Sequence, residues 1–215
     1  MKNVLIIGIG RLGYHIAREL NKFNAQILAV DINESRLQNV DQYVSKTIIG
    51  DSSDIDFLRT IGINTFDECI VTISDNFQAS IETVMNLKEL GAKKITARAS
   101  KESQNSLLMK IGADLVIYPE RQLAKWVALH CGTDSIYDYM ELDNNYGIFE
   151  VNIPKEWSGK SLTELDLRKK HEINIIGIKD NNGIRVVIGP NYILKEHEKV
   201  IILAKEDNIN KVLGK

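Results

Sequence analysis

Three glycines, Gly8, Gly10 and Gly13 in "GIGRLG", follow the apolar run "NVLII" and open an amphipathic stretch. This spacing suits a turn that holds a pyrophosphate. Gly8 permits the tight bend, Gly10 lets the backbone approach a phosphate, and Gly13 lets the following helix pack closely on a sheet. The helix that begins at Arg11 and Leu12 would point its free N–H groups at the anion. Asp31 closes "QILAVD", where a carboxylate accepts hydrogen bonds from ribose hydroxyls and repels a 2′-phosphate, which disfavours NADP. Arg11 is the unusual member. Backbone donors and a helix dipole suffice for two phosphate charges, whereas a guanidinium beside the turn gives directed hydrogen bonds to a further phosphate. It thus points to ATP, or to a contrast between ATP and ADP, unless it is a solvated side chain on the first turn.

Other polar residues stand at the ends of apolar runs. Asp51 and Ser52 in "GDSSD" would contact adenine or its ribose, or cap the helix in "DIDFLRTIG". Ser74 to Gln78 in "SDNFQ", with Ser74 and Asn76 foremost, face the same cleft or supply an N-cap. Arg98 ends "ITARA" and would contact a phosphate or pair with a carboxylate. Glu120 in "YPERQ" is an ordinary first-turn acid, or reaches phosphates through a hard divalent cation such as magnesium.

These residues need a scaffold, and the first 132 positions supply one. Short β-branched runs at 3–8, 26–31, 45–50, 68–73, 94–99 and 114–119 alternate with helical stretches, the last being "ERQLAKWVALHC". Such alternation predicts a parallel sheet covered on both faces. The rhythm then changes. Strand candidates lie at 146–154, 173–180, 183–189 and 198–205, with a short helix in "TELDLRKKH" and another in "EDNINKVLGK". "IIGIKDNNGIRVVIG" reads as a hairpin around residues that tolerate positive φ. The predicted organisation is 1–135 and 136–215, with the boundary between 134 and 142.

The chain has 215 residues, 44% hydrophobic and 26% charged, which is ordinary for a globular protein. A net charge of −2 gives no general footprint for nucleic acid or an anionic membrane. The longest apolar runs fall far below the ~20 residues of a membrane-spanning helix, and the N-terminus lacks the pattern of a signal peptide. A cytosolic protein is expected. Cys69 and Cys131 are far apart and without a metal-binding spacing, so both read as reduced, buried thiols.

Taken with "IIGIGRLG", "AVD", "NFQAS" at 76–80, "KIGAD" at 110–114 and "PE" at 119–120, the chain resembles the KtrA and TrkA family of cytosolic RCK subunits that regulate potassium transporters. "NFQAS" followed by "KIGAD" and "PE" is more specific than the glycine motif and points to KtrA in particular; TrkA carries two such units in tandem, and this sequence has one. The resemblance implies a Rossmann-like RCK N-terminal domain followed by a small α+β RCK C-terminal domain. It also implies dimers that assemble into a ring of eight under a membrane potassium channel subunit of the KtrB/TrkH type, with no membrane insertion of its own and no nucleic acid partner. ATP or ADP would bind at the glycine turn, with Gly8, Gly10, Arg11, Leu12, Gly13, Asp31, Asp51, Ser52, Ser74, Asn76, Arg98 and Glu120. Arg11 would sense the terminal phosphate, and Glu120 would share a divalent cation between subunits. In the second domain, "LDLRKKHEINIIGI" with "GPN" implies cyclic di-AMP bound between two subunits, with Arg168 on phosphate, Asn174 and Ile175 on a base, and Pro190 as an apolar wall.

Two other functions compete. An NAD-dependent oxidoreductase would need an acid or base beside the nicotinamide, but His15, His130, His171 and His197 are scattered. An NAD(H)-responsive regulator on the same fold remains open.

Overall fold

A computed structural model describes residues 1–132, 135–143 and 145–213. The first run, β1 (Asn3–Ile7), is buried from Val4 onward. Its alternate side chains serve opposite faces: Leu5 and Ile7 join one core cluster, Val4 and Ile6 another. A strand covered on both sides needs no polar face, which is why its sequence is continuously apolar.

Five further strands follow, each after a helix. They are β2 (Gln26–Asp31), β3 (Lys46–Ile49), β4 (Glu68–Val71), β5 (Ile95–Arg98) and β6 (Leu115–Ile117). All pairings are parallel, in the order β3-β2-β1-β4-β5-β6. The order reverses beside β1, so the switch point lies between β1 and β4, where such sheets bind ligands. The connecting helices are α1 (Arg11–Asn21), α2 (Glu34–Val40), α3 (Ile55–Ile61), α4 (Phe77–Glu89) and α5 (Glu102–Lys110), and α6 (Pro119–Gly132) follows β6.

The second unit has its own core around Phe149, Val151, Ile178, Val200 and Ile202. Its antiparallel sheet contains β7 (Ile136–Glu141), β8 (Tyr146–Asn152), β9 (Asn174–Asp180), β10 (Gly183–Arg185) and β11 (Lys199–Lys205), in the order β10-β9-β11-β8-β7. Central β11 alternates buried and half-buried residues along its length, as a strand with one core face must. The hairpin between β9 and β10 forms with Gly183 opposite Asp180. Helices α7 (Leu162–Leu165), α8 (Leu167–His171) and α9 (Glu206–Val212) complete the unit.

Four details differ from the sequence reading. "IYDYME" is an edge strand, β7, hidden because only Ile136 of its residues is fully buried and no alternation results. The predicted strand at 183–189 stops at Arg185, and Val186 and Val187 are exposed. "TELDLRKKH" is broken at Asp166, whose φ of +46° is left-handed. The compact units divide between Arg121 and Gln122, so most of α6 goes with the second; Leu129 packs on that unit's core. Thr133 and Asp134, at the expected boundary, lie outside the described residues, as do Gly214 and Lys215 of the closing helical stretch.

The thiols also part company. Cys69 is buried in β4, but Cys131 is exposed, because no residue of α6 is fully buried.

Candidate functional site

The glycine turn is built by mutual exclusion of side chains. Gly8 has φ +89°, and a Cβ there would lie 2.9 Å from the Ile73 nitrogen. Its carbonyl accepts from the Thr72 hydroxyl, and a Cβ on Gly13 would strike that same oxygen and approach Thr72 Oγ1 at 2.7 Å. Gly10 is different. Nothing lies within 4 Å of the position its Cβ would take, so its bareness keeps open the space over the terminus of α1. Gly10 caps α1 without any side-chain hydrogen bond. The first N–H groups of that helix, from Arg11, Leu12 and Gly13, therefore have no intrahelical acceptor.

Asp31 is 4% exposed at the end of β2. Its Oδ2 accepts from the Ile9 N–H at 2.6 Å and its Oδ1 from the Asn33 N–H at 2.8 Å. The carboxylate thus braces the turn, a task its position in the sequence did not disclose. Lone pairs remain for ribose hydroxyls, since an ionised carboxylate offers about four acceptor sites.

Around the turn lies a cavity of about 380 Å³, with Gly8, Gly10, Asp31, Asp51, Ser52, Ser74 and Asn76 in its lining. Ser52 is buried and shares a 2.7 Å hydrogen bond with Thr83 of α4. Asp51 accepts from the Ser53 hydroxyl and N–H, in that order the causes that hold its carboxyl below the usual range. The cap of α3 is Asp54, not Asp51. Asn76 does cap α4, accepting from Ala79 N–H at 3.1 Å, while it also lines the cavity.

A wider depression of about 850 Å³ opens on the other side of Gly10 and is lined by Arg11, His15, Arg36 and Arg98 among others. Arg11 is exposed and makes no ion pair among the described residues. Arg98 pairs with Glu120, and its buried Nε has no partner. An orphaned guanidinium donor next to uncapped helix amides fits an anion with several oxygens. Leu12 and Gly13 shape the turn and line neither cavity. Arg36 was not singled out by sequence reading, and Asp75 entered it only as part of the stretch 74–78. Both line both cavities, and the only signal for Arg36 was a cation on the first turn of the helix after Asp31.

Glu120 stands on the first turn of α6. Partial burial opposes its ionisation, but its own backbone N–H and the Arg98 guanidinium hold its carboxyl below the usual range. Among the described residues no three His, Cys, Asp or Glu side chains gather as metal ligands. Carboxylate, imidazole and thiol groups of the described residues therefore do not by themselves gather a divalent cation site at Glu120.

In the second unit, Arg168, Asn174, Ile175 and Pro190 share a cavity of about 560 Å³. Arg168 Nε donates to Asn174 Oδ1 at 2.8 Å, which fixes the guanidinium at the cavity edge.

Comparison with known proteins fits this architecture. The family model for the TrkA-N domain matches residues 4–119, and that for the TrkA-C domain matches 148–214. The chain belongs to the Ktr and Trk family of potassium uptake proteins. It is 34% identical to Ktr system potassium uptake protein C of Bacillus subtilis over 98% of this chain and 95% of that one. Ktr system potassium uptake protein A of the same organism is 31% identical over 98% of this chain and 95% of that protein. Among solved structures, the GsuK channel superposes with a TM-score of 0.73 at 18% identity, over 100% of this chain and 40% of its own. GsuK bound to NAD gives 0.72 at 17% identity, over the same shares of the two chains. This likeness establishes the RCK fold: a Rossmann-like parallel sheet followed by a small antiparallel domain. The residues that carry the family likeness have structural duties too. Asp114 of "KIGAD" accepts from the Ile95 N–H at 2.7 Å and so sets β5 against β6.

Proposed function

We propose that this chain is the regulatory subunit of a Ktr-type potassium uptake system, gating a membrane channel subunit of the KtrB/TrkH type by exchanging ATP and ADP at the glycine turn. The observation that carries this reading is the run of guanidinium groups beyond that turn. Arg11, Arg36 and Arg98 surround space into which phosphates beyond the first would extend from the α1 amides. ATP and ADP differ in that region, so a difference in their affinity for two conformations can shift the population between them. Such a subunit needs no catalytic step.

Association with other copies is supported by α6, in which no residue is fully buried and Leu123 is 62% exposed beside exposed Trp126 and Val127. We read the assembly as dimers forming an octameric ring on the cytoplasmic side of the membrane. No helix among the described residues is long and apolar enough to cross a bilayer. The second cavity is read as the cyclic di-AMP site, with Arg168 held toward phosphate by Asn174 and a second copy closing it over exposed Val186 and Val187. A divalent cation at Glu120 would take its remaining ligands from the nucleotide or a neighbouring subunit.

A second reading, an NAD(H)-responsive regulator, is favoured by the NAD-bound GsuK neighbour. Melting temperatures with ATP, ADP, NAD+, NADH and cyclic di-AMP separate the two, because a ligand that binds only the folded state raises the transition. ATP and ADP are expected to stabilise. Stabilisation by NADH alone would replace the ATP/ADP switch with the second reading.

A further inference from the structure

The guanidinium of Arg36 lies between two carboxylates. Its Nη1 is 3.7 Å from Asp31 Oδ2, and its Nη2 is 3.2 Å from Asp75 Oδ2. Arg36 stands on α2, which follows β2, whereas Asp75 stands in the loop after β4. β2 and β4 are the two neighbours of β1, so the Arg36–Asp75 pair crosses over the turn that leaves β1. The cavity of about 380 Å³ and the depression of about 850 Å³ have four residues in common: Gly10, Arg36, Ser74 and Asp75. The pair therefore marks the passage from the ribose side of the turn to the arginine-lined side.

Asp75 is itself well placed to act as an anion. The Ser74 hydroxyl donates to its Oδ1 at 2.9 Å, Arg36 takes its Oδ2, and Arg98 lies near enough to favour its ionised form. Neither partner is deeply buried, the side chains being 43% and 76% exposed, so the bridge is weak and exchangeable. A phosphate is the stronger acceptor for a guanidinium, because it offers paired oxygens and more charge.

We propose that Asp75 is a specificity-determining residue that counts phosphate charge. With no nucleotide bound it occupies Arg36 as a stand-in for phosphate. With a nucleotide bound, Arg36 turns to the phosphate and Asp75 is left as an unpaired negative charge beside it. The repulsion grows with each phosphate, so Asp75 opposes ATP more than ADP and leaves adenosine untouched. The balance between Arg11 and Asp75 then sets the ATP/ADP preference. This inference rests on the nucleotide reading of the turn.

The test is calorimetric titration of wild type, D75N and R36Q with adenosine, AMP, ADP and ATP at low and moderate salt. Asparagine keeps the Ser74 contact and removes the charge. D75N is expected to bind ATP about three- to tenfold more tightly at low salt, ADP less so, and adenosine as wild type does, with the gain shrinking as salt rises. R36Q should weaken ADP and ATP, and D75N in the R36Q background should recover less than it gains alone. Equal effects of D75N on adenosine and ATP, or no effect on either, would overturn the role of Asp75 while wild-type binding of ATP leaves the nucleotide reading intact. Wild type that binds none of the four ligands would overturn both.

Discussion

The Ile9 N–H donates to Oδ2 of Asp31 at 2.6 Å, which ties the acid closing β2 to the turn leaving β1. The residue proposed to meet ribose is thereby part of the frame of the glycine turn. Asp31→Ala would strand the Ile9 and Asn33 donors, and an unsatisfied buried donor costs about 1–3 kcal/mol. Urea denaturation of nucleotide-free protein should show a loss of that size. An unchanged midpoint would mean that Asp31 serves the ligand alone.

Gly10 and Gly13 should respond differently to the same added methyl group. Gly13→Ala drives a Cβ against Thr72 Oγ1 and Gly8, so the fold should weaken by about 1–3 kcal/mol. Gly10→Ala meets open space and should melt as wild type does, yet bind ADP at least about tenfold more weakly because the methyl stands where phosphate must approach. Melting curves and titrations on the two variants check the contrast.

Arg11 makes no ion pair in the described chain, so its removal should leave stability unchanged within about 0.5 kcal/mol. Arg11→Ala is expected to lose ATP affinity by about five- to tenfold while ADP binding largely persists. Equal losses for both nucleotides would remove Arg11 from the terminal phosphate.

In the second unit, Arg168→Ala should abolish the thermal shift produced by cyclic di-AMP and leave that produced by ATP. Asn174→Ala should reduce the same shift by releasing Arg168 Nε from its 2.8 Å acceptor. A cyclic di-AMP response that survives Arg168→Ala would rule the assignment out.

The two cysteines give a pH-dependent check on the fold. Burial, with a smaller contribution from the Glu68 charge, pushes the Cys69 thiol up to about 12. A folded-state value above that of the unfolded chain means that this contribution to stability is fully present below the ordinary thiol range, near 9, and is lost as pH rises from there toward 12. Maleimide at neutral pH should label exposed Cys131 at once and Cys69 only on unfolding. Equal labelling of both in the native protein would contradict the buried strand.

Much of the first unit was legible because its signals are local. An apolar strand, three glycines at fixed offsets and an acid at the end of the next strand are consequences of steric fit and burial along one stretch of chain, and all six parallel strands lie where the pattern puts them. Edge strand β7 was not, since only Ile136 of its residues is buried and its pairing with β8 shifts register after that residue, so no alternation marks it. Nor was the exposure of Cys131, because an apolar run on a helix does not say whether its own chain covers it.

The candidate site divides the same way. The order of residues determined by itself that a glycine turn joins β1 to α1, that Asp31 closes β2, and that Arg11 stands beside the turn. Tertiary structure decided what these groups do to one another: Asp31 braces Ile9, Arg98 pairs with Glu120, and Arg36 reaches Asp75 across 39 positions of chain. The reason is physical. Backbone conformation and burial pattern are set by neighbours along the chain, whereas charge pairing is set by distance in space, and that distance exists only once β2 and β4 have come to lie on either side of β1.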